Sequence, residues 1–388
     1  MIENRWDGLV VVCAGTTWDG IPASEHQIAD RLTRWAPVLY VDPPTSVLGA
    51  FRNRTTASSG LQILRPGLAR LTPLVFPGSR RPGVVRTTEA LTRLQIRAAI
   101  RRLKGRSSVR VLASDLPVYE QRQPRERRVL FATDDFAAGS ELMGLSRTQI
   151  RRHEARLAHE SDLVIAISTP IVEKWRAAGC NVVLVPNGCD TERFENTGSA
   201  PWPDDVRLPA PIAGFVGQIN DRLDIRLLEA IAAHGHSLLL VGPMTRTFDA
   251  HTLETLLTRP NVQWVGPKPF DAMPSYLRTM HLGLTPYTDT PFNRASFPLK
   301  TIEYLAAGRA AVSQDLPMAR WLGTEHVTLA TGPSAFAEAV GVRLREPLTD
   351  HVLAKRMAFA ATHSWSARAR EFANAIGIGD RPYESSDR

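Results

Sequence analysis

The sequence lacks the marks of several large protein classes. Cysteine is scarce, and Cys13, Cys180 and Cys189 show neither a disulfide framework nor the spacing of a metal site. No apolar run approaches the roughly 20 residues that cross a bilayer, and no secretory signal is recognised after Met1. We therefore expect neither a disulfide-stapled nor a membrane-spanning protein, and we predict a cytoplasmic location.

Basic charge is present in excess, and it is unevenly distributed. Residues 1–200 carry the whole formal net charge of +8, whereas residues 201–388 are neutral overall. Within residues 52–128 there are 18 Lys and Arg against 4 Asp and Glu, a net charge of +14, and all but one of these cations are arginine. Three interpretations stay open: a solvated basic face, contact of a peripheral protein with an anionic membrane surface or a lipid-linked acceptor, and nucleic acid, which no motif supports.

Short apolar strands alternate with helices in two series. In the first series, strands are predicted at residues 8–14, 36–41, 109–113, 128–132, 162–167 and 182–185, with residues 43–83 irregular. In the second series, strands are predicted at residues 212–216, 237–241, 262–265 and 282–285, and a helix is predicted over 340–360. Two such series predict an α/β protein with two doubly wound, Rossmann-like domains.

The domain bounds follow from composition. Residues 196–211 are dense in Pro, Gly, Asp and Ser, which is typical of a linker. We predict one domain over residues 1–195 and a second over residues 212–362. Residues 363–388 are predicted to form a C-terminal helix and tail that crosses back to the first domain.

The segment 293–308 carries the most chemical information. Pro298 stands near the start of a predicted helix, where its missing N–H costs nothing. Lys300 and Glu303 are three positions apart and therefore share a face of that helix. A helix N-terminus attracts phosphate, and a carboxylate one turn further in can accept two sugar hydroxyls. The pattern indicates a nucleotide-sugar site or an ordinary amphipathic helix.

Pro298 to Gly308 resembles the donor-binding segment of GT-B glycosyltransferases of the family 4 type, in particular the teichuronic-acid-biosynthesis branch. That family usually has two glutamates eight positions apart. Glu303 matches the second, and Ala295 stands at the first. The resemblance implies the GT-B fold, with two Rossmann-like domains facing across a cleft. It also implies that Lys300 and Glu303 bind a nucleotide-sugar donor.

Further donor contacts are implied by weaker matches to the same family. Gly217 and Gln218 follow the first strand of the second domain, where the family binds the diphosphate. Arg222 is either a substitute for the unmatched lysine or a surface arginine. The turn from Gly266 through Lys268 to Phe270 resembles the base-binding turn, although Phe270 could equally be a core residue. Gly20, in the loop after the first strand, resembles a glycine that touches the donor phosphates.

Three residues of the first domain are candidates for catalysis. Asp134 and Asp135 directly follow a predicted strand, and an Asp-Asp pair resembling this one occurs in the branch named above. Asp134 could accept the proton of the acceptor hydroxyl, and the alternative is a turn that caps the next helix. His26 lies in the first predicted helix, where packing or exposure is the alternative to catalysis.

Together these residues predict an enzyme that moves a hexose-type sugar from a nucleoside diphosphate donor to a hydroxyl acceptor. The acceptor classes are glycans, lipid-linked glycans and secondary metabolites. We expect no cofactor and no metal site, because Lys300, helix dipoles and glycine N–H groups can neutralise the diphosphate. Retention of configuration is implied by the resemblance. The alternatives are a GT-B-like epimerase or hydrolase of nucleotide-sugars and a non-catalytic, Arg-rich binding protein.

Overall fold

The chain divides into two compact units. Met1–Pro186 and Trp365–Arg388 form the amino-terminal unit, and Asn187–Ser364 forms the carboxy-terminal unit. The division therefore precedes residue 195, and the predicted linker lies inside the second unit. The structure is a computed structural model that describes residues 6–20, 22–48, 60–79, 81, 83–114, 116, 118–119, 125–140, 146–245 and 248–379.

The amino-terminal unit contains an eight-stranded sheet and a separate two-stranded one. The large sheet has the order β10-β9-β8-β7-β1-β2-β5-β4 and is parallel except for β4, and β3 pairs with β6. The order of the strands reverses between β1 and β7. The strands are β1 Asp7–Cys13, β2 Val38–Val41, β3 Thr45–Ser46, β4 Gly60–Arg65, β5 Leu68–Thr72, β6 Leu74–Val75, β7 Arg106–Leu112, β8 Arg127–Ala132, β9 Leu163–Ala166 and β10 Val182–Leu184.

Helices connect these strands, and the last helix of the chain packs among them. Phe131 of β8 meets Phe372 of the last helix edge-on, with ring centroids 5.2 Å apart. That contact holds the C-terminal helix in the amino-terminal unit. The helices are α1 Ser24–Leu32, α2 Val85–Arg102, α3 Arg147–Glu160, α4 Thr169–Ala177 and, numbered in chain order, α13 Trp365–Ile376.

The carboxy-terminal unit is built on a six-stranded parallel sheet. Its order is β13-β12-β11-β14-β15-β16, which is the order of dinucleotide-binding folds. The strands β12 and β13 lie on one side of β11, and β14 to β16 lie on the other. The order therefore reverses between β11 and β14, and open α/β sheets bind ligands at such a point. The strands are β11 Ile212–Val216, β12 Ser237–Val241, β13 Val262–Trp264, β14 Leu282–Thr285, β15 Ala310–Gln314 and β16 Val327–Ala330.

The helices of this unit bury apolar faces against the sheet. Leu227 and Ile231 of the first helix share one core with Phe215, Leu240 and Phe336. Burial on both faces explains why the strands are almost entirely apolar. The helices are α5 Ile225–Ala233, α6 Ala250–Leu257, α7 Met273–Thr279, α8 Pro291–Ala295, α9 Leu299–Ala306, α10 Pro317–Trp321, α11 Pro333–Leu344 and α12 Asp350–Ala361.

Two predictions of secondary structure are wrong. The first is the irregular structure of residues 43–83, because this range contains β3 to β6. Arg70 interrupts the apolar pattern of β5, yet it is buried since its Nε donates to Asp42 Oδ2 at 2.6 Å. The second is the single helix over 340–360, which is divided into α11 and α12. Pro347 lies in the break, where a helix interior would lose a hydrogen bond.

Candidate functional site

The predicted helix at Lys300 is confirmed as α9, which begins directly after Pro298. Lys300 Nζ donates to Glu303 Oε2 at 2.7 Å, and Glu303 is only 8% exposed. Burial disfavours the ammonium form, but the Glu303 carboxylate outweighs burial, so the pKa of Lys300 lies above its ordinary value. The two side chains therefore form a charged pair at the start of α9.

The loops after β11 and β14 are joined where the strand order reverses. Thr288 N donates to Arg222 O at 2.8 Å, and Asp224 N donates to Pro286 O at 2.8 Å. Asp224 also caps α5, because its side chain accepts from Arg226 N. These bonds fix Arg222 at the carboxyl edge of the sheet, on the same edge as the residues that follow β14.

Arg222 is held in place by the residues around it. Its Nε donates to Asn293 Oδ1 at 2.7 Å, and its guanidinium carbon lies 5.1 Å from the Tyr287 ring centroid and 5.0 Å from that of Phe292. A guanidinium stacked on rings and bonded through one nitrogen keeps its other donors available for an anion. The arrangement is suited to phosphate.

Tyr287 brings the predicted donor residues into one cluster. Burial raises the pKa of Tyr287, and the charges of Arg222, Lys300 and Glu303 also influence this pKa. Arg222 and Tyr287 line one small cavity together with the residue that precedes α9, so the loop of Arg222 lies beside the start of that helix. The sequence analysis did not identify Tyr287 or Asn293 as site residues. The feature that could have indicated Tyr287 is its position after Pro286, at the end of a buried strand.

Gly217 lies at the end of β11, where backbone comes close to backbone. A Cβ placed on Gly242 would lie 1.9 Å from Gly217 O, so glycine is required at residue 242. Gly217 N donates to Val241 O at 2.9 Å. Gln218 is exposed, and its Oε1 accepts weakly from Asn220 Nδ2 at 3.5 Å. Gly217 and Gln218 thus lie at the carboxyl ends of the strands, where open α/β sheets bind ligands.

The turn after β13 contains three predicted donor residues, and their surroundings differ. Gly266 has a φ of 73°, which favours glycine. Lys268 Nζ pairs with Asp205 Oδ2 at 2.5 Å, so this lysine already has a carboxylate partner. Phe270 is 49% exposed, and the guanidinium carbon of Arg193 lies 4.4 Å from its ring centroid. The interpretation of Phe270 as a core residue is wrong, because about half of this side chain is exposed.

In the amino-terminal unit, two buried carboxylates hold the loop from Gly15 to Gly20. Glu25 Oε1 accepts from Gly15 N at 3.2 Å and from the Thr16 hydroxyl at 3.0 Å. Asp42 Oδ1 accepts from Trp18 N at 2.9 Å. The loop that contains Gly20 is therefore pre-organised. Neither carboxylate was recognised from the sequence, because their partners are distant along the chain.

His26 packs behind that loop. Its ring centroid lies 4.1 Å from that of Trp18, and burial lowers the pKa of the imidazole. Its Nδ1 is buried and has no hydrogen-bond partner within the described part of the chain. Burial therefore favours the neutral form of the ring, and the packing predicted as an alternative is present.

The two adjacent aspartates lie just beyond the carboxyl end of β8. Asp135 Oδ1 accepts from Ala138 N at 3.1 Å and from Lys174 Nζ at 2.9 Å. Lys174 also donates to Glu154 Oε2 at 2.8 Å, and burial raises the pKa of Glu154. Asp135 thus caps a turn and belongs to a charged network. Asp134 is half-buried at the carboxyl end of β8.

The described residues contain no helix long and apolar enough to cross a membrane. Among the same residues, no group of three or more His, Cys, Asp and Glu side chains is arranged to hold a metal ion.

The sequence is similar to those of known proteins over part of its length. Residues 210–346 match the sequence model of the family described as Glycosyl transferases group 1. The protein TuaH of Bacillus subtilis (strain 168), which carries the provisional name teichuronic acid biosynthesis glycosyltransferase, is 29% identical over 242 residues. The aligned region covers 60% of this chain and 61% of TuaH, so the chain spans about three fifths of that curated relative.

Two solved structures share the fold over nearly the whole chain. Sucrose-phosphate synthase from Thermosynechococcus elongatus has a TM-score of 0.71 at 16% identity and covers 95% of this chain and 98% of its own. HepE from Anabaena, in complex with UDP and glucose, has a TM-score of 0.63 at 15% identity and covers 95% and 99%. The predicted GT-B fold is confirmed. The family match confirms the resemblance to glycosyltransferases and supports the prediction of a transferase enzyme.

Proposed function

We propose that this protein transfers a hexose-type sugar from a nucleoside diphosphate sugar to a hydroxyl acceptor, with retention of configuration and without a metal ion. The observation that carries the proposal is the cluster of Arg222, Lys300 and Glu303 around Tyr287. Arg222 stacks on Tyr287 and lines a small cavity with the residue before α9, at the edge where a sheet of this strand order binds nucleotides. The glycosyltransferase group 1 match over residues 210–346 covers the same residues.

Each member of the cluster has a distinct role in this proposal. Glu303 accepts hydrogen bonds from the ribose hydroxyls with the lone pairs that Lys300 leaves available. Lys300 and Arg222 neutralise the diphosphate, and this stabilisation grows as the leaving group gains charge. The exposed ring of Phe270 stacks on the nucleobase, whereas Lys268 keeps its pair with Asp205.

The relatives support a uridine nucleotide as the first donor to test. HepE was solved with UDP and glucose, and a trehalose-6-phosphate protein from E. coli was solved with UDP-2-fluoro glucose. In our proposal Asp134 receives the proton of the acceptor hydroxyl, because it follows the carboxyl end of β8, the edge at which open α/β sheets bind ligands. A glycan acceptor is supported by the name of TuaH.

Two alternatives remain from the sequence: a nucleotide-sugar epimerase or hydrolase, and a binding protein without activity. A thermal-shift panel of UDP-, GDP- and dTDP-sugars, followed by product analysis with glycan acceptors, distinguishes them. We expect a rise in melting temperature with one nucleotide family and a new glycosidic product. Donor loss without an acceptor product would favour the epimerase or hydrolase. No response to any nucleotide would favour the binding protein.

We further propose that the protein is peripheral and contacts an anionic membrane surface through the basic region, of which only part lies within the described residues. On α2, Arg86, Leu94, Arg97 and Arg101 fall on one helix face, and Leu94 is 54% exposed. The parallel pairing of β3 with β6 brings the exposed side chains that follow them to the same end of that small sheet; these are Leu48 and Phe76. Exposed apolar side chains beside arginines suit an anionic lipid surface.

Vesicle co-sedimentation tests this surface. Arg86→Gln/Arg101→Gln should weaken binding to vesicles of anionic phosphatidylglycerol by about 30-fold, at about 1 kcal/mol per charge. The matched control is Arg259→Gln/Arg345→Gln, which removes two exposed arginines of the carboxy-terminal unit. Equal binding to neutral and anionic vesicles would leave only a solvated basic face. Arg70 and Arg110 are excluded from this surface because both are buried in ion pairs.

A further inference from the structure

An open groove lies between α1 and α13 in the amino-terminal unit. Its volume is about 590 Å³, within the ~300–1,000 Å³ typical of small-molecule sites. One wall is the end of α1 and the residues after it, including Arg31, Arg34 and Trp35. The other wall is the first half of α13, including Arg370 and Glu371. Segments far apart in the sequence therefore form one concave surface.

The acidic residues of the groove are already neutralised. Asp30 Oδ1 accepts from Arg65 Nη2 at 2.6 Å, and Arg65 also donates to the Thr33 hydroxyl at 3.1 Å. Glu371 Oε1 accepts from Arg368 Nη1 at 2.6 Å, and Arg368 is buried. Neither Arg65 nor Arg368 lines the groove. The two carboxylates of the groove are therefore paired with arginines that lie outside its lining.

The basic residues of the groove are not neutralised. Arg31 Nη1 donates to Gln27 Oε1 at 2.6 Å, which is an uncharged acceptor. The Arg34 guanidinium carbon lies 5.9 Å from the Trp35 ring centroid. Within the described residues, no carboxylate lies within 4.0 Å of the guanidinium nitrogens of Arg31, Arg34 or Arg370. Three guanidinium groups with spare donors therefore converge on one groove beside an indole ring.

None of the proposed donor and catalytic residues lines this groove. The donor cluster belongs to the carboxy-terminal unit, and Asp134 follows the carboxyl end of β8. The α1 side of the groove lies near the amino ends of the strands, opposite to their carboxyl ends, because α1 ends at Leu32 and the chain then enters β2 at Val38. The proposed transfer reaction uses none of the residues that line the groove.

We propose that the α1–α13 groove is a second anion-binding site that takes a phosphate ester, held by Arg31, Arg34 and Arg370. Arginine presents paired N–H donors that match phosphate oxygens, and charge-assisted bonds of this kind are the strong ones. Trp35 supplies an apolar face for the organic part of the ligand. The phosphate can belong to a soluble metabolite or to a lipid headgroup, and the experiment separates these sources.

Calorimetric titration with inorganic pyrophosphate tests the site. Because pyrophosphate would also enter the donor cluster, all titrations use a Lys300→Ala background. In that background, Arg34→Gln/Arg370→Gln should weaken pyrophosphate binding by about tenfold or more, since two charge-assisted contacts are lost. The matched control is Arg152→Gln/Arg176→Gln, which removes two exposed arginines from α3 and α4 of the same unit, outside the basic region. Unchanged melting temperatures establish that the groove variant is folded.

The source of the phosphate follows from a second arm with phosphatidylglycerol and phosphatidylcholine vesicles. A groove variant that loses pyrophosphate binding but keeps the vesicle binding of its control supports a soluble phosphate ester. A variant that loses both supports a lipid headgroup. If the groove variant and the control bind pyrophosphate equally, or if the Lys300→Ala background binds none, the proposal is overturned.

Discussion

Removing Glu303 or Lys300 should change nucleotide binding in two different ways. Glu303 is assigned to the ribose, so Glu303→Ala should weaken a nucleoside and its diphosphate by the same factor. Lys300 is assigned to the diphosphate, so Lys300→Ala should weaken the diphosphate much more than the nucleoside. The two side chains are bonded to each other at 2.7 Å, yet they should give distinguishable results.

The expected magnitude follows from the hydrogen bonds that are lost. A bond to a charged group contributes about 1–3 kcal/mol, which corresponds to roughly 5- to 150-fold in affinity at 1.4 kcal/mol per tenfold. Each single variant also leaves its partner without a counter-charge. Since Glu303 is 8% exposed, Lys300→Ala should lower the free energy of unfolding as well, and binding must be measured well below the melting temperature.

Isothermal titration of the purified variants with a nucleoside and its diphosphate is the appropriate assay. Glu338→Ala is the matched control, because this glutamate of α11 is exposed and accepts a hydrogen bond from the Ser334 hydroxyl, away from the proposed donor residues. Its affinities should equal those of the wild type. Wild-type affinity in both Lys300→Ala and Glu303→Ala would refute the assignment of the donor site.

Three further predictions concern the amino-terminal unit. Asp134→Asn should lower kcat by about 100-fold or more with nearly unchanged donor affinity, whereas full turnover in steady-state assays would mean that Asp134 only caps a turn. Asp42→Asn should cost about 3–5 kcal/mol in urea unfolding because it breaks a fully buried pair with Arg70; Asp19→Asn, which removes the 68% exposed partner of the same arginine, should cost less than about 1 kcal/mol. Burial lowers the folded pKa of His26 from 6.5, so the unfolded state binds more protons and stability should fall as pH drops below about 6.5; urea titrations of His26→Gln at several pH values should show a smaller loss.

Periodicity and apolar runs were enough to predict most strands of both sheets. Residues 237–241 and 282–285 are short apolar runs, and burial on both faces of a parallel sheet requires that pattern. The strand β5 could not be predicted in the same way. Its central Arg70 is compatible with burial only because Asp42, 28 positions earlier, lies beside it, and a single sequence does not display such a pairing.

The candidate site was partly predictable for a similar reason. Lys300 and Glu303 are close in sequence, so helical spacing alone places them together. Arg222 and Tyr287 come from different loops, and only the joining of β11 and β14 brings them to that pair. The engagement of Lys268 by Asp205 likewise depends on a residue that was predicted to lie in a linker.

A crystal structure of the complex with the nucleoside diphosphate selected by the thermal-shift panel tests the central claim most directly. We predict ribose hydroxyls within hydrogen-bond distance of the Glu303 carboxylate, and diphosphate oxygens contacted by Lys300 Nζ and the Arg222 guanidinium. A nucleotide bound elsewhere, with the Lys300–Glu303 pair unchanged and untouched, would contradict the assignment of this cluster as the donor site.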